Sequence, residues 1–533
     1  MVTEPESTAT GPRAARPASR EAAVVVLYRR RPELSVFRVR RAPGLAYLGG
    51  FHAFPGGAVH AADASVPVEG TLDREEAARR VSAARELFEE VGVLLGRPEE
   101  GRSKATSPRD APIGRAVAES DRVALRAQVD RGERPFTDAL ATGRVRLAAA
   151  DFTPAGRWIS PPFLPRAFDT YFYLAELPVG EEVGPLSGEL DDGEWVTPER
   201  GLEEWRRGAS LLATPVRRVF EVLLQAGERD DPAAWGAALT ESREARGGTV
   251  ERIEVTPGVV LVPLKTATLA PATHTNCLVL GEGECLLIDP GSGDPRELAA
   301  LEAVLARLSD DGRRVTAISV THHHGDHVGG VEALRRALDV PVLAHPLLAE
   351  RLRADRVLED GEIVHLEAGG GRPWRIEVRF SPGHTKDHVA FWEPSRGVLA
   401  AGDLVSGLST VVVDPPDGNL GHYLASLEVL RDLPIRVLFP GHGPPTGGAH
   451  TKLEDLIRHR RWREDRVLAA LGPRPVLVEE LLPVVYEDVR PESWPLARRS
   501  LQAHLEHLEE RRRVVRSGSG DETRWLLAAP SGS

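Results

Sequence analysis

Thr321-His322-His323-His324-Gly325-Asp326-His327 is the stretch on which the reading of this chain turns. It crowds imidazoles and a carboxylate into one short loop, and neutral imidazole with carboxylate is the ligand set of a hydrolytic metal ion. The bland alternative is a surface turn decorated with polar histidines. Further along stand Gly383-His384-Thr385, Gly402-Asp403 and Gly441-His442-Gly443. Each sets a ligand-type side chain beside glycine at the end of an apolar run, where a strand hands over to a loop.

Together these motifs resemble the metallo-β-lactamase superfamily, whose HxHxDH motif is followed by a His, an Asp and a His. The resemblance implies that His322, His324 and His384 hold one metal, that Asp326, His327 and His442 hold the other, and that Asp403 bridges them. It also implies a catalytic role for Asp326. Two zinc ions, or iron or manganese in their place, would lower the pKa of a shared water and offset charge on an attacked carbonyl or phosphoryl group. His323 is left over and is expected behind the ligands or facing solvent. Upstream, Thr275-Asn276-Cys277-Leu278-Val279-Leu280 and Glu284-Cys285-Leu286-Leu287-Ile288-Asp289 flank Gly281-Glu282-Gly283, so two apolar strands joined by a hairpin are expected. In the same resemblance Asp289 supports the metal loop without binding metal. Its alternative is a turn-capping aspartate before Pro290-Gly291.

A second cluster lies nearer the N-terminus, where Phe54-Pro55-Gly56-Gly57 precedes Arg85-Glu86-Leu87-Phe88-Glu89-Glu90-Val91-Gly92-Val93. Helical spacing puts Glu86, Glu89 and Glu90 on one face. Three carboxylates there repel unless a divalent cation or an arginine neutralises them; a solvated acidic face is the alternative. The stretch resembles the Nudix box, in which a Gly-Gly turn and an REUXEE helix bind magnesium, or manganese, around a diphosphate. That resemblance implies Gly56, Glu86, Glu89 and Glu90 as metal ligands and the three glutamates as catalytic. The glutamate that the box usually carries eight residues before its arginine is Ala77 here, and the loop 58–74 is lengthened. Such lengthening is similar to the long-loop, coenzyme A diphosphatase-like branch. Arg41-Ala42, Gly50 and Phe54-Pro55-Gly56-Gly57 fit the signature that precedes the box in that branch, although its second arginine falls on Ala46. Segments 157–161 and 166–174 and Trp195-Val196-Thr197-Pro198 look like later strands of the same unit.

At 533 residues the chain is too long for one core. An α/β and α+β multidomain organisation is expected: a disordered tail at 1–19, a Nudix-like α/β/α sandwich at 20–225, and a polar linker at 226–248. A metallo-β-lactamase-like αβ/βα sandwich follows at 249–450 and a winged-helix-like unit at 451–530. Within the first unit, 97–112 is expected to be disordered and 119–146 helical. In the last, apolar spacing predicts helices near 453–471, 478–486 and 497–510 before a hairpin of 513–516 and 524–527. That tail, with the PGHTxDH and PGHGP motifs, most resembles the beta-lactamase-like endoribonuclease family.

The formal net charge of −12 speaks against indiscriminate binding to nucleic acid. Cys277 and Cys285 sit almost symmetrically about the Gly281-Glu282-Gly283 turn and are expected as reduced thiols facing each other across the hairpin. The first residues lack an apolar secretory core and no run reaches ~20 apolar residues, so the expectation is a cytoplasmic protein without a membrane partner. The function these readings imply is a metal-dependent hydrolase of a phosphodiester, ester or thioester, joined to a magnesium-dependent Nudix diphosphate hydrolase. Expected partners are nucleoside diphosphate derivatives, acyl-CoA or thioesters, and single-stranded RNA; the oligomeric state is not legible. Two alternatives stay open: a zinc hydrolase with a degenerate, ligand-sensing Nudix domain, and a non-catalytic winged-helix nucleic-acid-binding protein.

Overall fold

Strand Arg20–Arg29 shows how the N-terminal half is built. Ala23, Val25 and Leu27 enter one apolar cluster, while Val24, Val26 and Tyr28 enter another. Side chains alternate faces along a strand, so a strand apolar on both faces belongs at the centre of a sheet covered on both sides. The computed structural model describes residues 19–70, 73–98, 119–164, 167–186, 188–226, 231–241, 245–247, 252–518, 520 and 523–529. In it the strand pairs in parallel with Phe168–Glu176 and antiparallel with Ser35–Arg41. Leu190–Val196 and Thr153–Ile159 close the sheet's two ends.

One face of this sheet is covered by helix Arg74–Val91, which starts where Asp73 accepts a hydrogen bond from the Glu75 amide at 3.0 Å. It ends at Gly92, whose φ of 75° is the left-handed stop that glycine supplies. Helices Pro198–Arg206, Thr214–Ala226 and Pro232–Leu239 cover the other face. The last of these corrects the reading of 226–248 as a polar connector. Asp231 caps its first turn, Pro232 suits its first position, and Trp235 and Leu239 are buried in the core of the sheet's helical face.

A second correction concerns 97–112: Arg97–Pro98 is a short strand paired with Val145–Ala148, held by Arg97 on Asp151 at 2.8 Å. The remainder of that expectation, and that for residues 1–18, lies outside the described residues. Helices Glu119–Asp130 and Phe136–Gly143 occupy the region expected to be helical.

The C-terminal half stacks two sheets face to face. Seven strands from Ile253–Thr256 to Arg356–Val357 form one, and five from Ile363–Leu366 to Val437–His442 form the other. Alternation again sets the layers: Val259 and Leu261 point into the space between the sheets, whereas Val260 and Val262 point to the outer helices. In the second sheet Val398 and Ala400 face inward and Leu399 and Ala401 outward. Helices Pro295–Asp310 and Val331–Leu338 cover one outer face, and Leu420–Arg431 and Ala449–Ala470 the other.

Helices Val478–Val485 and Trp494–Glu510 and the hairpin Val514–Ser517 with Arg524–Leu527 form a smaller terminal core around Trp525. The cysteines are free and buried, but they do not face each other. The register pairs Leu278 with Ile288 and Leu280 with Leu286, so Cys277 falls beyond one end of the paired positions and Cys285 beyond the other. No described helix is long and apolar enough to cross a membrane.

Candidate functional site

The histidine loop follows strand Arg314–Ser319, and its ligand-type side chains meet those carried by the ends of the second sheet. His322, His324, His384 and Asp403 place one ligand atom each within 4.8 Å of one another, and so do Asp326, His327 and His442. In the first group His324 Nδ1 is 2.9 Å from His322 Nε2 and 3.0 Å from His384 Nε2. Two imidazole nitrogens on one tetrahedral zinc would lie about 3.3 Å apart, close to this spacing. Asp403 stands between the groups: its carboxylate is 3.3 Å from His442 Nε2, 3.5 Å from His327 Nε2 and 3.7 Å from His384 Nε2. Gly441 permits this, because a Cβ there would fall 2.0 Å from Asp403 Oδ1.

Hydrogen bonds on the far side of each ring choose the tautomer. His384 Nδ1 donates to the Val412 carbonyl at 2.8 Å and His442 Nδ1 to the His274 carbonyl at 2.9 Å. A carbonyl only accepts, so each Nδ1 carries the proton and each Nε2 presents a lone pair to the centre. Asp289 does the same for the loop. It accepts from Thr321 N at 2.7 Å, from Thr321 Oγ1 at 2.8 Å and from His327 Nδ1 at 2.8 Å. With its proton committed to Asp289, Thr321 Oγ1 accepts from His322 Nδ1 at 3.0 Å. One carboxylate therefore orders a ligand in each group. Asp289 does so from a φ of 52°, a left-handed backbone that Asp tolerates better than most residues.

The set fits a pair of cations on chemical grounds. His327 Nε2 and Asp403 Oδ1 are buried with no hydrogen-bond partner, and such orphaned groups cost free energy unless something compensates them. Burial pushes the imidazoles of His322 and His384 below their ordinary pKa, and His324 down to about 4, leaving neutral, metal-ready rings. For His327, burial disfavours charge but the carboxylates of Asp289 and Asp403 outweigh it and hold the pKa well above the ordinary value. Burial of Asp403 is likewise outweighed, by His442 and His327, so its carboxyl stays well below the usual range.

His323 lies apart from both groups, with its Nδ1 3.0 Å and 3.1 Å from the Asp387 oxygens. With His324 and Asp417 it forms a third, half-exposed group that could hold an ion. His388 was not anticipated. It is fully buried, its ring stacks 5.4 Å from that of His322, its Nδ1 meets Ser381 Oγ at 3.0 Å, and its Nε2 has no partner. The KDH end of Gly383-His384-Thr385-Lys386-Asp387-His388 was the available signal. Helix Ala449–Ala470 also reaches this centre: Arg460 donates to the Val411 carbonyl, beside the Val412 carbonyl that orients His384.

The glutamate helix is arranged differently. Arg85 donates to Glu86 and to Glu89 at 2.8 Å each, and the Gly56 amide donates to Glu90 at 3.0 Å. Gly57 makes room, since a Cβ there would meet the Glu86 carboxylate at 2.5 Å. Glu86, Glu89 and Glu90 are not among the described groups whose ligand atoms gather within 4.8 Å, because an internal guanidinium occupies the space between two of them. Burial raises all three carboxyls, Glu89 to about 7 against the pull of Arg85, and Glu90 to about 8 with Glu86 adding to the rise.

Ala77 leaves Arg85 without the expected glutamate, yet Asp63 takes its place. From the lengthened loop it pairs with Arg85 Nε at 3.0 Å and Nη2 at 3.2 Å while 3% exposed.

The Metallo-beta-lactamase superfamily profile matches residues 270–442 and the Beta-lactamase associated winged helix domain profile matches 478–525. The Beta-lactamase-like protein 2 homolog of Drosophila melanogaster is 30% identical over 271 residues, which are 48% of this chain and 89% of that protein. An atrochrysone carboxyl ACP thioesterase of Aspergillus fumigatus is 32% identical over 202 residues, 37% of this chain and 59% of that protein. A solved NUDIX hydrolase from Alicyclobacillus acidocaldarius is 28% identical, covering 40% of this chain and 93% of its own, with a TM-score of 0.33. Through its C-terminal half, with the histidine loop at its centre and a winged helix behind it, the chain belongs to the metallo-beta-lactamase superfamily.

Proposed function

We propose that the C-terminal half is a dinuclear zinc hydrolase of thioesters or esters. The observation that carries this is Asp403, which lies within 3.3–3.7 Å of ligand nitrogens from both groups. Held by His322, His324 and His384, by Asp326, His327 and His442, and by Asp403 between them, two divalent ions would supply Lewis acidity that activates water and offsets charge on the attacked carbonyl. The Nδ1 donors of His384 and His442 keep each Nε2 lone pair aimed inward. Asp326, whose carboxylate is 3.5 Å from His442 Nε2, receives the proton that the attacking water gives up.

A thioester is favoured over RNA. The similar fungal protein is named a thioesterase, and of Arg511, Arg512, Arg513 and Arg516, the arginines that lie near one another in the tail, Arg511 is paired with Glu464 at 3.3 Å and Arg516 with Glu509 at 3.1 Å. Metal analysis of purified protein, with acyl thioesters, esters and single-stranded RNA offered side by side, tests the reading. Trace metal only, or cleavage of RNA alone, would sink it.

For the N-terminal half we infer a Nudix hydrolase of diphosphates such as nucleoside diphosphate derivatives or acyl-CoA. Asp63 supports catalysis over a decayed sensor, since the buried anion that Arg85 needs is present despite Ala77. Magnesium or manganese held by Glu86, Glu89, Glu90 and the Gly56 turn would supply charge neutralisation at the diphosphate. A broad set of diphosphates left uncleaved with either ion would favour the ligand-sensing alternative. Two free, buried thiols suit a reducing compartment, so we place the protein in the cytoplasm.

A further inference from the structure

A cavity of about 210 Å³ lies where the two halves meet. Phe54, Trp158 and Phe172 wall it from the N-terminal sheet, and Val255, Pro444 and Pro445 from the other half. Its walls are fixed. Val255's carbonyl accepts from Trp205 Nε1 at 3.1 Å and from the Leu212 amide at 3.2 Å, and the Gly447 amide donates to Gly49 at 2.8 Å. The cavity touches both candidate centres, since Gly56 in its lining donates to Glu90, and Pro444 follows His442 by two residues.

Its lining is mainly aromatic and aliphatic, with the hydroxyls of Tyr47, Ser160, Thr170 and Thr214 and one cation. Arg41 spends its Nε on the Tyr47 carbonyl at 3.2 Å and its charge acts on Glu90, but among the described residues it makes no ion pair. An apolar cavity with a single positive group at its wall selects a ligand with an apolar body and an anionic end. The volume is below the roughly 300 Å³ of a drug-sized pocket, so it takes a short acyl chain or a small ring system, not a nucleotide.

We propose that this junction is a binding site for an anionic amphiphile, its apolar body between Trp158 and Pro444 and its anion on Arg41. The site stands whether or not either centre catalyses the reaction assigned to it. Because its walls belong to both halves, an occupant braces the turn of Gly56 and the loop after His442 against each other.

Titration calorimetry on the full chain with naphthalene-2-sulfonate, decanoate and neutral 2-naphthol tests this. Saturable binding is expected for at least one of the two anions, and which one binds tells a ring from an acyl chain. Ala213→Trp fills the cavity and should abolish binding of all three probes, with an unchanged thermal midpoint as the check on folding. Arg41→Gln should weaken the anions about tenfold and leave 2-naphthol within about twofold. If Ala213→Trp does not fold, Ala213→Leu with Arg41→Gln carries the same test. No saturable binding of either anion, binding that survives a folded cavity-filling variant, or an Arg41→Gln variant that binds the anions as the parent does would overturn the site.

Discussion

The histidine cluster and the glutamate helix are both built from buried ligand-type side chains beside glycine, but they are held ready in opposite ways. At the histidines, Val412, His274, Asp289 and Thr321 hold the outer nitrogens from behind, while the inner ones meet one another or, for His442, Thr268 Oγ1 at 3.3 Å, and His327 Nε2 has no partner. At the glutamates, an internal cation sits among the ligands, with Arg85 shared by Glu86, Glu89 and Asp63. The first centre is aimed at a cation and partly uncompensated without one. The second already holds one cation among several carboxylates, so an incoming ion has to compete with a guanidinium.

The sharpest way to break that comparison is Asp403→Asn, which keeps the shape and removes the charge shared by the two groups. Hydrolysis should fall about a thousandfold and metal content should drop, read by thioester turnover and elemental analysis of the same sample. Full activity in this variant would mean that the groups do not work as a pair.

Glu90→Gln asks the matching question of the other half. Magnesium-dependent cleavage of a diphosphate should fall roughly a hundredfold or more while thioester turnover is unchanged. Asp63→Asn should act on the same reaction more weakly, about tenfold, because Arg85 then leans harder on Glu86 and Glu89. Equal losses at both centres would show that the variants damage the fold they share.

Asp289→Asn probes orientation alone. It should cost about 10- to 100-fold in metal affinity or rate, since the carboxylate binds no ion but fixes His327 directly and His322 through Thr321. A loss as large as that of Asp403→Asn would give Asp289 a place among the ligands.

Much of this was legible in the residues. The apolar runs on either side of Gly281-Glu282-Gly283 announce a strand hairpin, the family resemblance implies the stacked sheets, and the HxHxDH spacing names ligand-type side chains that the fold brings together. What the linear order hides is register and long-range pairing. Cys277 and Cys285 look symmetric about their turn, yet the pairing of Leu278 with Ile288 and Leu280 with Leu286 is centred on Gly283 and sets them at opposite ends. The stretch 226–248 looks polar, yet its few apolar residues, Trp235 and Leu239, are the ones that pack. Asp63 lies 22 residues from Arg85, and only a loop that folds back makes them partners. His388 sat in view within the KDH run, but nothing in its spacing shows that it would stack on His322.

A smaller effect separates the centres by pH. Glu89 and Glu90, ordinarily near 4.5, are raised to about 7 and about 8 by burial, so the folded chain keeps protons that the unfolded chain has lost. The stability these protons contribute is complete below about 4.5 and drains away as pH rises through 7 and 8. The midpoint of thermal unfolding of the N-terminal half should therefore fall between pH 6 and 8.5, on the order of 10 °C. Magnesium should restore it at the higher pH if the carboxylates bind it, and Glu90→Gln should flatten the profile. A profile that does not change in Glu90→Gln would assign the slope to other groups.

The smallest effect is expected at His323, although it lies in the middle of the seven residues that define the centre. Its Nδ1 faces the buried Asp387 carboxylate at 3.0 Å and its Nε2 faces Asp417 at 3.5 Å, so neither nitrogen joins the two groups around Asp403. Its side chain is 28% exposed, and a partly exposed ion pair contributes little. His323→Ala should therefore leave metal content unchanged and turnover within about threefold of the parent. A loss comparable to that of Asp289→Asn, reproduced by Asp387→Asn, would mean that the imidazole and its carboxylate act on the substrate at the mouth of the centre. The comparison would then be redrawn, because one side of the histidine cluster, like the glutamate helix, would depend on a charge pair and not on aimed lone pairs alone.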